Sequence, residues 1–363
     1  MDTKNIIRIC YPKPVQLKIG ATTMRKYIQL IFGLLLVFSV QHYAQGVTKV
    51  GTTAASFLVI DVGPRATGMG SAFVSMADDA SAMYWNPAGI AKVNGFEATF
   101  SNSKWIADLS FNYAGVVLAL GNFGNLGFNA TFLTMDQIER TTIFSPDGTG
   151  EMFDAGSYAI GVSYARHLTE QFAIGFNAKF INERLYHSNA NGFAIDVGAI
   201  FNTSFEGLNI GMSISNYGTK MSLDGRDMLV QHDIDPRVNG NNGNINAYLQ
   251  TDEFDLPLMF RVGVSMDVLK GLANSNFIIS ADALHPSDDA ESVNVGGEYV
   301  FNNMFSLRVG YKGLFAKDSE QGLNFGGGIK YNVMGSTTFH FDYSYIDFGV
   351  FDAVHMFSVS LGL

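Results

Sequence analysis

The segment QFAIGFNAKFINE, residues 171–183, alternates between apolar side chains and small or polar ones. One face carries only apolar residues, namely Phe172, Ile174, Phe176, Ala178 and Phe180. Asn177, Lys179 and Glu183 fall on the other face. Successive side chains of a β-strand point to opposite faces, so this period of two predicts a strand with one apolar and one polar face. Three further stretches alternate in the same way: residues 126–132, 258–266 and 339–345.

The composition indicates what the apolar faces contact. Only 15% of the 363 residues are charged, whereas soluble domains have about a quarter, and the chain contains 39 Gly, 30 Phe and 15 Tyr. Apolar faces rich in Phe and Tyr, backed by faces of Gly, Ser, Asn and isolated charges, are typical of barrel strands between lipid and lumen. After residue 44 no apolar run is long enough for a membrane-spanning helix. We therefore predict an all-β fold, a transmembrane antiparallel β-barrel.

The alternation predicts fourteen strands, an even number as in bacterial barrels. They lie at about 96–105, 109–120, 124–134, 154–167, 171–185, 192–204, 206–216, 257–269, 275–284, 290–301, 304–313, 321–333, 336–347 and 353–363. The two long connections, 135–153 and 217–256, both follow odd-numbered strands. They should therefore lie on the same side of the membrane, which we expect to be extracellular. The last strand ends in the apolar residue Leu363.

Residues 1–44 have the layout of a secretory signal peptide. A basic stretch at 24–26 precedes an apolar run at 30–40 and a polar segment ending at Ala44. We predict that Met24 is the true start and that residues 1–44 are removed; a membrane anchor or buried helix is the alternative. Cys10 is the only cysteine, so the mature chain has neither a disulfide nor a cysteine metal site. Cleavage would remove six basic residues and one acidic residue, taking the net charge from −10 to −15, which excludes a basic nucleic-acid binder.

Residues 45–95 do not alternate, and we predict that they form a hatch that plugs the barrel of residues 96–363. A fourteen-stranded barrel is wider than side chains alone can fill. The charges expected to face the lumen have both signs: Lys179, Glu183, Arg261, Asp267, Asp282, Glu298, Arg308, Lys330 and Asp342. Because buried charges need partners, we expect them to pair with one another or with Arg65, Asp78 and Asp79 of the hatch.

The hatch segment resembles the N-terminal region of the PorV/PorQ family, which belongs with the FadL-like outer-membrane barrels. The resemblance rests on Arg65, Gly68, Gly70, Asp78, Asp79 and the Asn-Pro-Ala motif of Asn86, Pro87 and Ala88. It is close over the hatch and extends to the remainder by architecture. It implies an integral protein of the bacterial outer membrane, in contact with its lipid, that acts in type IX secretion. The implied partners are the translocon barrel and secreted cargo with a C-terminal sorting domain.

A second function stays open beside this one. A FadL-like transporter of long-chain fatty acids or other hydrophobic small molecules would need an apolar pocket between hatch and wall, near Met83, Tyr84 and Trp85. A lined cavity with a lateral gap favours transport, whereas a packed lumen favours protein interaction. The inward-facing glycines are compatible with either. A purely structural barrel is the third alternative.

Candidate catalytic and metal-binding groups are weak. The Asp78–Asp79 pair has the residue types of a general acid and base, but helix capping or salt bridges within the plug explain it more simply. The glycines at 326–328 lack the helix that a phosphate loop requires. The acidic residues Asp224, Asp227, Asp233, Asp235, Asp252 and Asp255 have oxygen ligands suited to Ca²⁺, but their spacing does not match an EF-hand. We therefore predict a protein that is not an enzyme and has no cofactor, no metal and no nucleic-acid partner.

Overall fold

A computed structural model describes residues 50–363 except 206, 270–273, 317–319 and 334–336. The presequence predicted at 1–44 lies outside the described residues.

Fourteen antiparallel strands form the wall. They are β1 Phe96–Lys104, β2 Ser110–Ala119, β3 Asn125–Thr134, β4 Ala155–His167, β5 Phe172–Leu185, β6 Ser188–Asn202, β7 Leu208–Gly218, β8 Met259–Asp267, β9 Ser275–Pro286, β10 Ser292–Phe301, β11 Phe305–Leu314, β12 Leu323–Asn332, β13 Thr338–Asp347 and β14 Ala353–Gly362. Each pairs with its neighbours in the chain, and β14 pairs with β1 in a register that joins Phe100 to Val359. The sheet is therefore a closed barrel, which confirms the predicted fold class.

The two faces of the wall differ as the alternation predicts. Phe176 and Phe357 point outward and are 44% and 57% exposed, while Asn177 is buried on the inward face. Outward aromatic rings also contact one another across strands, with the ring centroids of Phe180 and Phe193 5.2 Å apart. An apolar outer surface of this kind suits lipid.

One strand boundary was predicted wrongly. Strand β6 begins at Ser188 rather than at residue 192, because only Tyr186 and His187 separate it from β5. In the extra pairs, Asn182 stands opposite Asn191, and their side chains hydrogen-bond at 2.9 Å. Residues 188–191 carry no large apolar side chain, so the alternation does not mark them as a strand.

The connections divide the barrel into a long-loop end and a short-turn end. The long-loop end holds both long connections, which contain the hairpins Ile138–Glu139 with Met152–Phe153 and Leu229–His232 with Ile245–Tyr248. Asp224–Gly225 pairs with the start of β6. The remaining short elements are 3₁₀ turns at Ile106–Asp108, Gly121–Phe123, Arg226–Met228, Asn241–Asn244 and Gly349–Phe351.

Residues 50–95, called the hatch below, pack against the inward faces of the strands. They contain two single-turn helices, α1 Pro64–Thr67 and α2 Ala82–Trp85, and 3₁₀ turns at Ser56–Val59 and Pro87–Lys92. None of the described helices has the length and apolar character needed to cross a membrane. The hatch starts at the long-loop end, where the Ala54 N–H donates to the Asp255 carbonyl at 2.9 Å, and finishes at the short-turn end, where β1 begins.

Candidate functional site

The hatch lies against glycines of the wall. A Cβ atom added to Gly175 of β5 would overlap the backbone of Pro87, and one added to Gly310 of β11 would overlap the backbone of Met69. Cβ atoms do not approach other heavy atoms this closely. These wall positions therefore require glycine because the hatch backbone occupies the space where a side chain would be.

Two glycines of the hatch lie equally close to the backbone of the wall. A Cβ on Gly68 would lie 2.9 Å from the Cα of Gly326, and one on Gly70 would lie 2.5 Å from the backbone nitrogen of Tyr311. Gly70 also has φ +63°, a conformation that favours glycine. The structure thus places both motif glycines where the hatch and the wall contact through backbone.

Asn86 of the Asn-Pro-Ala motif ties three parts of the molecule together. Its amide donates to the carbonyls of Val74 at 2.9 Å and Ala199 at 3.0 Å, one in the hatch and one in β6. Its side-chain oxygen accepts from the N–H of Ala88 at 3.2 Å and so caps the 3₁₀ turn that begins at Pro87. Asn86 and Ala88 are fully buried. A buried amide with these partners fixes this turn of the hatch on the wall.

Arg65 is the centre of a charge network between hatch and wall. Its guanidinium lies 2.5 Å from Asp78, 3.2 Å from Asp79 and 3.2 Å from Glu298 of β10. Burial alone would lower the pKa of Arg65, but Asp78, Glu298 and Asp79 together raise that pKa well above its usual range. The guanidinium therefore remains a cation inside the barrel.

The network continues along the wall. Arg308 of β11 contacts Glu298 at 2.7 Å and Asp342 of β13 at 2.6 Å. Glu298 and Arg308 are only 2% and 4% exposed, so both charges depend on these partners. The expected pairing of lumen charges with one another and with Arg65 is present for Glu298, Arg308 and Asp342. A polar cavity of about 540 Å³ lies beside the network at the short-turn end, with Asp78, Asp79, Lys330 and His340 among its lining residues.

Asp282 and Arg261, which we also expected to face the lumen, contact the hatch in other ways. Asp282 of β9 accepts from the hatch N–H groups of Phe73 at 2.7 Å and Val74 at 2.8 Å. The Arg261 guanidinium lies over the rings of Tyr84 and Trp85, 5.7 and 5.5 Å from their centroids. These contacts attach the hatch to β8 and β9.

Sequence analysis did not identify three charged residues of the interior, Asp61, Asp196 and Lys312. Lys179 pairs with Asp196 of β6 at 2.9 Å, and Lys312 of β11 pairs with Asp61 of the hatch. Strand parity could have identified Lys312 as inward-facing. Parity could also have identified Asp196, because it shares the inward face of β6 with Gly198 and Ile200, whereas Asp61 lies outside the alternating segments.

Met83, Tyr84 and Trp85 belong to α2 of the hatch and contact wall side chains. Met83 and Trp85 are fully buried, and the Trp85 indole donates to the Val62 carbonyl at 2.9 Å. The Tyr84 and Trp85 rings meet edge to face with centroids 5.0 Å apart. A hydrophobic ligand pocket at these side chains stays a prediction.

The acidic residues of the second long connection take other partners. Asp227 lies 3.2 Å from His187, Asp235 3.0 Å from Arg237 and Asp255 3.6 Å from Lys220. Within the described part of the chain, no group of three or more His, Cys, Asp or Glu side chains is arranged to hold a metal ion.

Comparisons with known proteins agree with this geometry. The family model described as "Type IX secretion system protein PorV" matches residues 43–238, and no curated protein sequence matches the chain. Among solved structures, the CymD monoaromatic hydrocarbon channel is 13% identical and has a TM-score of 0.50, with 83% of this chain and 96% of that chain covered. A deltaS2S3 mutant of the TodX monoaromatic hydrocarbon channel is 10% identical, with a TM-score of 0.51 and coverage of 83% and 97%. At these identities the likeness concerns the fold alone.

Proposed function

The chain belongs to the PorV family of type IX secretion system proteins, and we propose that it is the translocon-associated component that binds secreted cargo. It is an integral outer-membrane β-barrel. The proposed partners are the large translocon barrel and cargo proteins with a C-terminal sorting domain. We also propose that residues 45–95 form the hatch domain and that its motif residues, from Arg65 to Ala88, hold it in place.

This proposal rests on the close packing of the hatch against the wall. Wall glycines such as Gly175 and Gly310 touch the hatch backbone, and Asn86 and Arg65 bond to two different strands of the wall, β6 and β10. A transporter needs a path past its hatch, whereas a docking protein needs only a stable support for its surface. The close backbone contacts between hatch and wall at these positions therefore favour the docking role.

The long-loop end offers the surface for such partners. We place it at the cell surface, where secreted cargo emerges. The tip of its first hairpin exposes Ile143 and Phe144, which are 93% and 91% accessible. Exposed apolar side chains on a loop tip are common at protein interaction sites. Connections as long as 219–258 are usually functional when they are ordered.

The test is affinity purification from native outer membranes in mild detergent, followed by mass spectrometry of proteins and lipids. Wild-type protein should recover a giant translocon barrel and proteins with C-terminal sorting domains. A variant in which a Gly-Ser linker replaces residues 229–248 should recover fewer of these partner proteins. A matched variant with the linker at residues 139–152 compares the two hairpins. A stoichiometric fatty acid or other hydrophobic ligand without protein partners would overturn the proposal and support a transporter.

A further inference from the structure

The net charge of the mature chain is concentrated at one end of the barrel. The seven connections at the long-loop end contain 19 Asp or Glu residues and 5 Lys or Arg residues, a net charge of −14. Connections at the short-turn end contain 2 acidic residues and 1 basic residue. Residues 45–95 and the strands carry equal numbers of each sign. The long-loop end therefore has an excess negative potential, which attracts cationic partners.

A groove opens within this acidic surface. Its volume is about 600 Å³, and its walls are the start of the hatch, the adjoining ends of β4–β6 and the two ends of the second long connection. Ala54, Ala190, Met221 and Leu223 form an apolar floor, and Phe254, 46% exposed, stands beside them. The size lies in the range of ligand-binding clefts.

The groove is bordered by extended backbone. Thr53 of the hatch bridges to Asp255 in the parallel sense, and Met221 bridges to Phe254 in the antiparallel sense. The nearby Glu183 accepts from the Ala55 N–H at 3.0 Å, and Arg184 pairs with Asp154 at 2.9 Å. These contacts hold the groove open between fixed segments.

We propose that this groove docks an extended polypeptide segment whose apolar side chains fill it and whose Lys or Arg residues flank it. The inference deepens the proposed function, on which it rests, by stating the chemistry of the cargo segment. An apolar floor excludes a purely polar occupant, because burying polar groups without partners is unfavourable. The acidic rim disfavours an acidic occupant, and the extended borders match an extended chain better than a helix.

Direct binding to one peptide and its two matched controls tests the charge and the apolar contact separately. The full mature protein in detergent micelles is titrated into a fluorescent twelve-residue peptide of alternating Val and Thr with two Lys at each end. The first control peptide has Glu in place of Lys, and the second has Ser in place of Val. We expect the Lys-flanked Val peptide to bind at least about tenfold more tightly than either control. Its affinity should fall when salt is raised from about 0.05 to 0.5 M, since salt screens exposed charges.

Two pairs of variants locate the site. Phe254→Asp and Asp252→Lys alter the groove, whereas Phe351→Asp and Asp289→Lys make the same chemical changes on two other connections at the long-loop end. Groove variants should weaken binding about tenfold, and the matched variants should leave it within about twofold, corresponding to about 1.4 and 0.4 kcal/mol. Heat-modifiable migration on gels verifies that each variant is folded.

Equal binding of the Lys and Glu peptides, no binding of either, or unchanged binding by Phe254→Asp would each overturn the groove assignment. The proposed function is tested separately by co-purification. If cargo still co-purified with the Phe254→Asp variant, the proposed function would stand and the groove assignment would be wrong. Wild-type protein that recovers no secretion partner would reject the function itself, whatever the peptides do.

Discussion

The interior and the long-loop end of this barrel are built on opposite principles. Inside, hatch and wall contact through glycine backbones, and charges such as Arg65 and Glu298 are paired and balanced. At the long-loop end, the connections carry a net charge of −14, and apolar residues such as Phe144 are exposed. Substitution should therefore be costly for stability in the interior, and should chiefly affect binding at the long-loop end.

The largest expected loss of stability is at Glu298, which pairs with two arginines. Glu298→Ala leaves Arg65 and Arg308 without their shared carboxylate, and removing one partner of a buried ion pair costs about 3–5 kcal/mol. We expect the urea midpoint for unfolding in detergent to fall accordingly. Asp78→Asn is the control in the same network. Since Asp78 is 42% exposed, its loss should cost less than about 1 kcal/mol. Equal losses in the two variants would contradict the burial argument.

The next effect tests the glycine contact. Gly175→Val places a side chain where the Pro87 backbone lies, so the hatch must move, at a cost of about 3 kcal/mol. The hatch should become sensitive to trypsin, and the heat-modifiable gel shift should occur at lower temperature. Gly327→Val is the matched variant, because a Cβ there has only the Ser306 carbonyl within 4 Å, at 3.8 Å. Identical behaviour of the two valine variants would show that the hatch does not need this glycine.

A smaller effect is expected from the Asn-Pro-Ala motif. Asn86→Ala removes hydrogen bonds to Val74, Ala199 and Ala88 and leaves buried backbone groups unpaired, at a cost of about 2 kcal/mol. Amide hydrogen exchange in residues 86–92 should accelerate while the strands stay protected. Asn94→Ala is the control, because the Asn94 side chain makes only an exposed contact to Lys92. If amide exchange were unchanged in Asn86→Ala, Asn86 would not be what holds this turn of the hatch on the wall.

The smallest effect is expected at the long-loop end. Arg140 and Glu151 pair at 2.7 Å but are 57% and 43% exposed. Arg140→Ala should therefore leave the unfolding midpoint unchanged within error, because exposed ion pairs contribute little. A clear loss of stability would mean that the first hairpin supports the barrel, and the contrast between the two regions would fail.

Alternation of side chains was enough to predict the wall. Fourteen strands, their pairing order and their outward faces follow from a local period of two, which needs no knowledge of distant contacts. The prediction failed at Ser188–Asn191, where the side chains of the strand are small or polar on both faces. It also could not locate the bulge beside Asp196, since a one-residue shift in register leaves no mark in the sequence of either strand.

The hatch contacts were only partly predictable. The charge rule correctly joined Arg65 to inward carboxylates, because a buried cation must have partners. The bond from Asn86 to Ala199, however, links residues 113 positions apart, and nothing local specifies that distance. Inward glycines such as Gly310 fit an open lumen as well as a filled one. Only the packed structure distinguishes the two.

The hatch is joined directly to the seam that closes the barrel, and this has a consequence for assembly. Strand β1 begins at Phe96, immediately after the hatch, and its N–H donates to the Leu363 carbonyl at 3.2 Å, while the Leu363 N–H returns to Phe96 at 2.9 Å. We expect the hatch to dock on the open sheet first and the β1–β14 seam to close around it. A barrel completed in that order would have a filled lumen from the moment of closure, so its insertion would not breach the permeability barrier of the outer membrane.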